Sequence, residues 1–390
     1  MLAEETLPAA LVDLDALDEN LGLLVDALGD RPVTLRVASK SLRVPWLLRH
    51  LLDAEDRLQG VMCYSPHEAE LLADQGFHDL LVAYPVARRP DADAFARLAG
   101  CGVRAIAMVD DAGQLPVLER AAFDAGVTIP VCLDVDVSWR PFGGLAHLGV
   151  RRSPIRDAEA ALAVAERVVG EAHLRLVGVM AYEAQVAGLP DHSPGQPWMT
   201  PAIRLLKARS VKLAAERRHE VVRALQDAGH AVELVNGGGT GSVHSTSVDP
   251  TITEVTAGSG FLCPHLFDGY DGLPLLPAAF FALPVVRRSD PGFVTCAGGG
   301  YVASGAAGPD RLPVVHWPEG VKPLDLEGFG EVQTPVTVPE GVTLVLGDPV
   351  VCRHAKAGEL AERFDHYLVV RGGHVVARAP TYRGLGATFL

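Results

Sequence analysis

The chain has 390 residues, 48% of them hydrophobic, and a formal net charge of -14 from 34 Lys and Arg against 48 Asp and Glu. That charge, with no basic run to offset it, argues against nucleic acid as a partner. The longest apolar stretch, 273–286, is broken by three prolines and too short to span a bilayer, which argues against a membrane protein.

The start of the chain, 1–14, is acidic and lacks the cationic region of a secretory signal. Six cysteines with no Cys-x-x-Cys pair read as reduced core residues of a cytoplasmic protein. An apolar run at 9–15 comes first and lies outside the repeating pattern of the next 250 residues. That pattern consists of eight short β-branched runs, at 34–39, 60–64, 80–84, 103–109, 129–135, 174–181, 231–235 and 252–256. Helical spacing comes after each of them. Ser65-Pro66 and Ser153-Pro154 have the pattern of a helix cap followed by proline at the first helical position. Eight alternating units predict an α/β fold, a TIM-like (β/α)8 barrel within residues 1–270; a doubly wound sheet is the competing arrangement. From 271 to 390 helical periodicity gives way to short strands between Gly and Pro turns, which predicts a C-terminal all-β domain. The run at 9–15 is expected to pair with that domain rather than with the barrel.

In such barrels chemistry sits where strands end, and phosphate is often held after strands seven and eight. The seventh run leads into Asn236-Gly237-Gly238-Gly239-Thr240-Gly241-Ser242, and the eighth into Ala257-Gly258-Ser259-Gly260. Glycines let backbone amides converge on an anion, and hydroxyls add donors. The first run ends at Lys40, between Ser39 and Ser41. Alone it would read as a surface lysine; next to strand eight in a closed barrel it becomes an amine beside a phosphate cradle. That constellation suits pyridoxal 5'-phosphate, with a Schiff base on the lysine.

With these residues in place the chain resembles the alanine-racemase-type (fold type III) pyridoxal phosphate enzymes, and within them the D-threonine aldolase and D-serine dehydratase group. That group carries Arg-Pro-His-x-Lys-Thr-His-Lys on strand one. Arg36, Lys40 and Arg43 fall on its arginine, its cofactor lysine and its last lysine, while Ala38 and Leu42 replace both histidines. The family's Gly-Gly-Thr-Gly run matches 238–241, and its Glu-x-x-x-Gly-Ser pattern matches Glu254, Gly258 and Ser259. The resemblance therefore implies cofactor contacts from Lys40, Arg36, Gly238, Gly239, Thr240, Gly258 and Ser259. Tyr182 is a further candidate, either packed on the pyridine ring or a core aromatic. His147, Arg151 and Arg152 are candidates for the pyridine side. Tyr301 matches the second base of the racemases only in residue type.

The family's C-terminal metal motif, His-x-Cys or His-x-Asp, reads His354-Ala355-Lys356 here. An ammonium is no metal ligand. A divalent metal would have to recruit His354 with Glu359 or another carboxylate, and none is expected. Lys356 and His354 are read instead as the groups that handle a β-oxygen or a carboxylate. The resemblance implies a lyase acting on a small β-hydroxy amino acid of D configuration, by aldol cleavage or by dehydration and deamination. The alternatives are an amino acid racemase and a non-catalytic carrier of pyridoxal phosphate. A homodimer is implied as well, each site being completed across a two-fold interface.

Overall fold

The computed structural model describes residues 2–192 and 197–389. Strand β1 (Ala9–Asp13) leads into the helix Leu14–Asp26, capped by the Asp13 carboxylate. Eight parallel strands then close a barrel: β2 (Thr34–Ala38), β3 (Leu58–Cys63), β4 (Asp79–Val82), β5 (Arg104–Val109), β6 (Ile129–Asp134), β7 (Leu174–Ala181), β8 (Leu234–Gly237) and β9 (Glu254–Ala257). Closure is explicit, since β2 pairs with both β3 and β9. A doubly wound sheet would have left two edges. These strands are short and covered by helices outside and side chains inside, so they read as continuous apolar runs rather than alternations. In β5 every residue after Arg104 is buried.

The last two barrel strands lie slightly later than the periodicity suggests, and both run directly into their glycines. Ser65 caps the helix Pro66–Asp74, accepting from the Glu68 amide at 3.0 Å. Ser153 does not cap a helix. Its hydroxyl donates to the Asp134 carbonyl at 2.6 Å, and the helix starts only at Ala158 under the Asp157 side chain.

After the barrel come β10 (Ala279–Asp290), β11 (Phe293–Ala297), β12 (Val314–Trp317), β13 (Lys322–Pro323), β14 (Gln333–Thr337), β15 (Pro349–Arg353), β16 (His366–Arg371) and β17 (His374–Pro380). They form one sheet with β1, which lies antiparallel to β10 and parallel to β16. The leading strand thus belongs to the sheet. Five cysteines are buried and Cys101 is exposed; all six are unpaired. Among the described residues no helix is long and apolar enough to cross a membrane.

Candidate active site

The turn after β2 presents one cation outward. Ser39 is fully buried, its hydroxyl donating to the Met62 carbonyl at 2.9 Å, and Ser41 and Leu42 are buried too. Lys40 alone is exposed, at the carboxyl end of the barrel strands. Its Nζ donates to the Tyr84 hydroxyl at 3.2 Å. Arg43, with a left-handed φ of 55°, holds the turn by donating from Nε to the Lys40 carbonyl at 3.1 Å.

From Lys40 a series of rings crosses the barrel mouth. Tyr84 comes just after β4, and the Arg152 guanidinium lies 5.9 Å from its ring centre. The same guanidinium lies 5.8 Å from the ring of Tyr182, just after β7. A Cβ added to Gly239 would come within 3.2 Å of the Tyr182 ring, so this aromatic floor reaches the first glycine loop. Burial raises the Tyr182 phenol above its usual range. Beneath Arg152, burial pushes the Asp134 carboxyl up to about 7, with the like charge of Asp110 adding and Arg152 opposing.

The two glycine loops are tied together and to the lysine turn. The Gly260 amide donates to the Thr240 hydroxyl at 2.9 Å, and the Ser41 and Ser259 hydroxyls meet at 3.3 Å. Gly258 has to be glycine, because a Cβ there would sit 2.6 Å from the Ser41 Oγ. Behind the first loop Glu183 accepts from the Gly238 amide at 3.2 Å, from the Ser242 hydroxyl at 3.3 Å and from Thr246. Arg218 bridges Glu183 at 3.1 Å to Asp249 at 2.6 Å. Sequence reasoning misses this buried group; its only signal along the chain is that Glu183 directly adjoins Tyr182. The glycine cradle with its hydroxyls, next to an exposed amine on a rigid turn, fits pyridoxal phosphate.

The fold sets Arg36 apart from these groups. It is 1% exposed, pointing into the barrel, with Nε on Glu254 at 2.7 Å and a second arm on Asp79 at 3.0 Å. Burial opposes its charge, but the two carboxylates outweigh it and hold it protonated. Asn236 donates to Glu254 at 2.7 Å and Arg104 binds Asp79 at 2.9 Å, so the layer is closed on itself. The position is inside β2, where the side chain faces the barrel axis below the mouth. His147 is also set apart: its Nε2 lies 3.1 Å from the Val150 carbonyl of its own loop. Arg151 is exposed, and Arg152 is the one of the pair that reaches the rings. The Tyr301 ring packs edge-on against Phe281 and Phe364, and its hydroxyl is engaged by the Gly299 backbone. Within one chain it is a packed aromatic and not a base aimed at Lys40.

The residues after β15 lie on the lysine turn. A Cβ on Gly358 (φ 88°) would sit 1.9 Å from the Lys40 carbonyl, and Glu362 binds Arg43 at 2.7 Å. Beside this contact is a cavity of 380 Å³ whose walls include Tyr301, Ser304, His354, Lys356, Glu359 and Arg363. His354 is 3% exposed, and its ring is engaged by the backbone of Ala279. Burial pushes its pKa down to about 3, so the imidazole is neutral. The Lys356 Nζ donates to the Ser304 Oγ at 2.8 Å and lies 3.6 Å from Glu359, which accepts from the Ser304 amide at 2.8 Å and from its hydroxyl. Among the described residues no three His, Cys, Asp or Glu side chains converge. One imidazole, one ammonium and one carboxylate already in use do not fit a divalent ion.

Residues 12–261 match the family described as alanine racemase, N-terminal domain. A 3-hydroxy-D-aspartate aldolase of Paracoccus denitrificans is 28% identical over 255 residues, which are 65% of this chain and 59% of that protein. The match therefore spans less than two thirds of the curated relative. The crystal structure of D-threonine aldolase from Filomicrobium marinum superposes with a TM-score of 0.83 at 25% identity, over 98% of this chain and 96% of the other. D-threo-3-hydroxyaspartate dehydratase from Delftia sp. HT23 gives 0.77 at 18% identity, over 97% and 98%, and shares the fold.

Proposed function

The chain belongs to the alanine racemase N-terminal domain family, and on that footing we propose that it is a pyridoxal-phosphate-dependent lyase. Its substrate is a small β-hydroxy amino acid of D configuration, broken down by aldol cleavage or by dehydration and deamination. The observation that carries this reading is the exposed Lys40 amine, held to Tyr84 at 3.2 Å on a turn that also touches the second glycine loop. The similarity to proteins named 3-hydroxy-D-aspartate aldolase and D-threonine aldolase supports the substrate class.

When bound, the cofactor supplies an electron sink for charge at the amino acid's α carbon. Lys40 would be its point of attachment and, as a free amine, would move a proton at the substrate's α carbon. Gly238, Gly239, Thr240, Gly258 and Ser259 would hold the phosphate. Tyr84 positions the Lys40 amine, and Tyr182 and Arg152 are the residues that would hold the cofactor's ring side. The rings of Tyr84 and Tyr182 keep water from the floor. The protein acts as a homodimer in the cytoplasm; six unpaired cysteines support a reducing compartment. Sedimentation showing an active monomer at micromolar concentration would sink the dimer. A racemase would need a base opposite Lys40. A mere carrier would have no use for a sheet domain seated on the lysine turn.

Purified protein should be yellow, and borohydride should fix the cofactor on the peptide that contains Lys40. Label on any other lysine would end the proposal. D-Threonine, D-serine and 3-hydroxyaspartate should then be assayed with separate detection of aldehyde and 2-oxo acid. Glycine plus aldehyde means aldolase, and 2-oxo acid plus ammonia means dehydratase. Interconversion of enantiomers with neither product would move the assignment to racemase.

A further inference from the structure

The cavity beside the lysine turn holds a charged arrangement that its packing does not explain, with His354 lining one side, buried and engaged by the Ala279 backbone. Facing the same space, Lys356 and Glu359 meet through one hydroxyl: Ser304 accepts from the Lys356 ammonium at 2.8 Å and donates to the Glu359 carboxylate. Glu359 also takes the Ser304 amide at 2.8 Å, which fixes the serine between a cation and an anion. The segment carrying these groups is fastened to the turn of Lys40 by Gly358 and by the ion pair of Glu362 with Arg43 at 2.7 Å. The cavity therefore lies beside the turn that carries Lys40.

Resting on the lyase reading above, we propose that this cavity receives the substrate's β-hydroxyl and that the Lys356 ammonium supplies there the positive charge that a divalent metal would otherwise provide. Ser304 and Glu359 form its proton relay. In aldol cleavage the hydroxyl's O–H bond breaks; its proton passes to Ser304 as Ser304 passes its own to Glu359. The Cα–Cβ bond breaks with its electron pair left on the α carbon, and the β carbon leaves as an aldehyde. Lys40 then protonates the α carbon, and Glu359 returns its proton through solvent to the Lys40 amine. Protons and electrons balance without a metal, oxidant or added base. Lys356 is hydrogen-bonded to the relay and bears its charge toward the oxygen where negative charge develops, which is where fixed charge is most effective.

The test uses the purified holoenzyme and three measurements: metal content by mass spectrometry, aldehyde release with and without EDTA, and exchange of the α hydrogen of D-alanine, which has no β-oxygen. The wild type should carry no stoichiometric divalent metal, and its aldehyde release should survive chelation. Lys356→Met should lower kcat/KM for aldehyde release by about 10²–10³-fold, as expected for losing one charge aimed at a developing oxyanion. It should leave D-alanine exchange and borohydride fixation on Lys40 at wild-type levels. Lys356→Arg should stay within about tenfold of wild type, since it keeps the charge. Should Lys356→Met fail to fold, Ser304→Ala replaces it, with a selective loss of aldehyde release expected. A stoichiometric metal whose removal abolishes activity would overturn the inference. So would normal aldehyde release in Lys356→Met, or an equal loss of α-hydrogen exchange. Absence of any cofactor on Lys40 in the wild type would instead overturn the reading on which this one rests.

Discussion

The barrel's interior and its mouth are both rich in charge, and they treat it in opposite ways. In the interior, Arg36, Asp79, Arg104, Glu254 and Asn236 bind one another so that each buried charge has a partner. At the mouth, among the described residues, Lys40 has one hydroxyl partner, Arg152 lies against two ring faces near Asp134, and burial holds the Asp134 carboxyl up. Arg36 and Lys40 are near neighbours in sequence, yet one is spent on architecture and the other is free to react. A polar group whose bonding capacity is used up has a structural role. A group left short of partners on a rigid support is available to a ligand.

The largest effect expected from this contrast is at Lys40. Lys40→Ala removes both the covalent attachment and the proton carrier, so turnover should fall by about 10⁴-fold or more. Its exposed position means that stability should change by no more than about 0.5 kcal/mol. Urea unfolding together with steady-state kinetics separates the two. A variant that unfolded easily would place Lys40 with the interior group.

Arg36→Met should show the reverse. It strands Glu254 in the barrel without its cation, and breaking a buried pair in this way costs about 3–5 kcal/mol. The midpoint of urea unfolding should drop sharply while folded protein still fixes cofactor on Lys40. Unchanged stability with lost cofactor would return Arg36 to the site and break the comparison.

Strand geometry explains why one sequence motif reads these two cations alike while the fold sends them to different places. The count of eight strands and the two glycine loops depend on local pattern, and both are visible along the chain. The lysine lies just past a strand end, where the backbone turns and a side chain can reach the mouth. Arg36 matches the same motif but sits within β2, where the pleat directs it to the barrel axis. The floor of Tyr84, Arg152 and Tyr182 joins residues from three loops, and no spacing in one strand announces it. The same holds for Glu183, Arg218 and Asp249, and for Ser304 beside Lys356. The Ser153-Pro154 pair failed as a cap because a nearby carbonyl, that of Asp134, took its hydroxyl.

A pH series sharpens the contrast at the mouth. Burial lifts the Asp134 carboxyl from 3.8 to about 7, so its protonated form is the one the fold favours. A carboxyl with a raised folded pKa contributes stability below its unfolded pKa and loses it as pH rises toward the folded value. Wild-type stability should therefore decline between about pH 4 and pH 7 by this group alone, by up to about 4 kcal/mol at 1.36 kcal/mol per unit of pKa. Asp134→Asn should flatten that decline and be the more stable protein at pH 8. If the two proteins show parallel curves, Asp134 is ionised and paired like the interior acids.

The smallest effect is expected at Tyr84, whose hydroxyl is the one side-chain group bonded to the Lys40 amine among the described residues. Tyr84→Phe keeps the ring that faces Lys40 at 5.9 Å and Arg152 at 5.9 Å, and removes only the oxygen. A single exposed hydrogen bond contributes about 0.5–1.5 kcal/mol net, so cofactor affinity should weaken by about 2- to 12-fold. Titrating the apoprotein with pyridoxal phosphate would read this directly, and unfolding should be unaffected because the packing is kept. A loss beyond about 100-fold would exceed one such bond and make Tyr84 an equal partner of Lys40. No change would mean that the amine is positioned by its turn alone, with Ser39 below and Arg43 behind. In that case the mouth would be more rigid than its few hydrogen bonds suggest, and its lack of partners would reflect steric support and not slack.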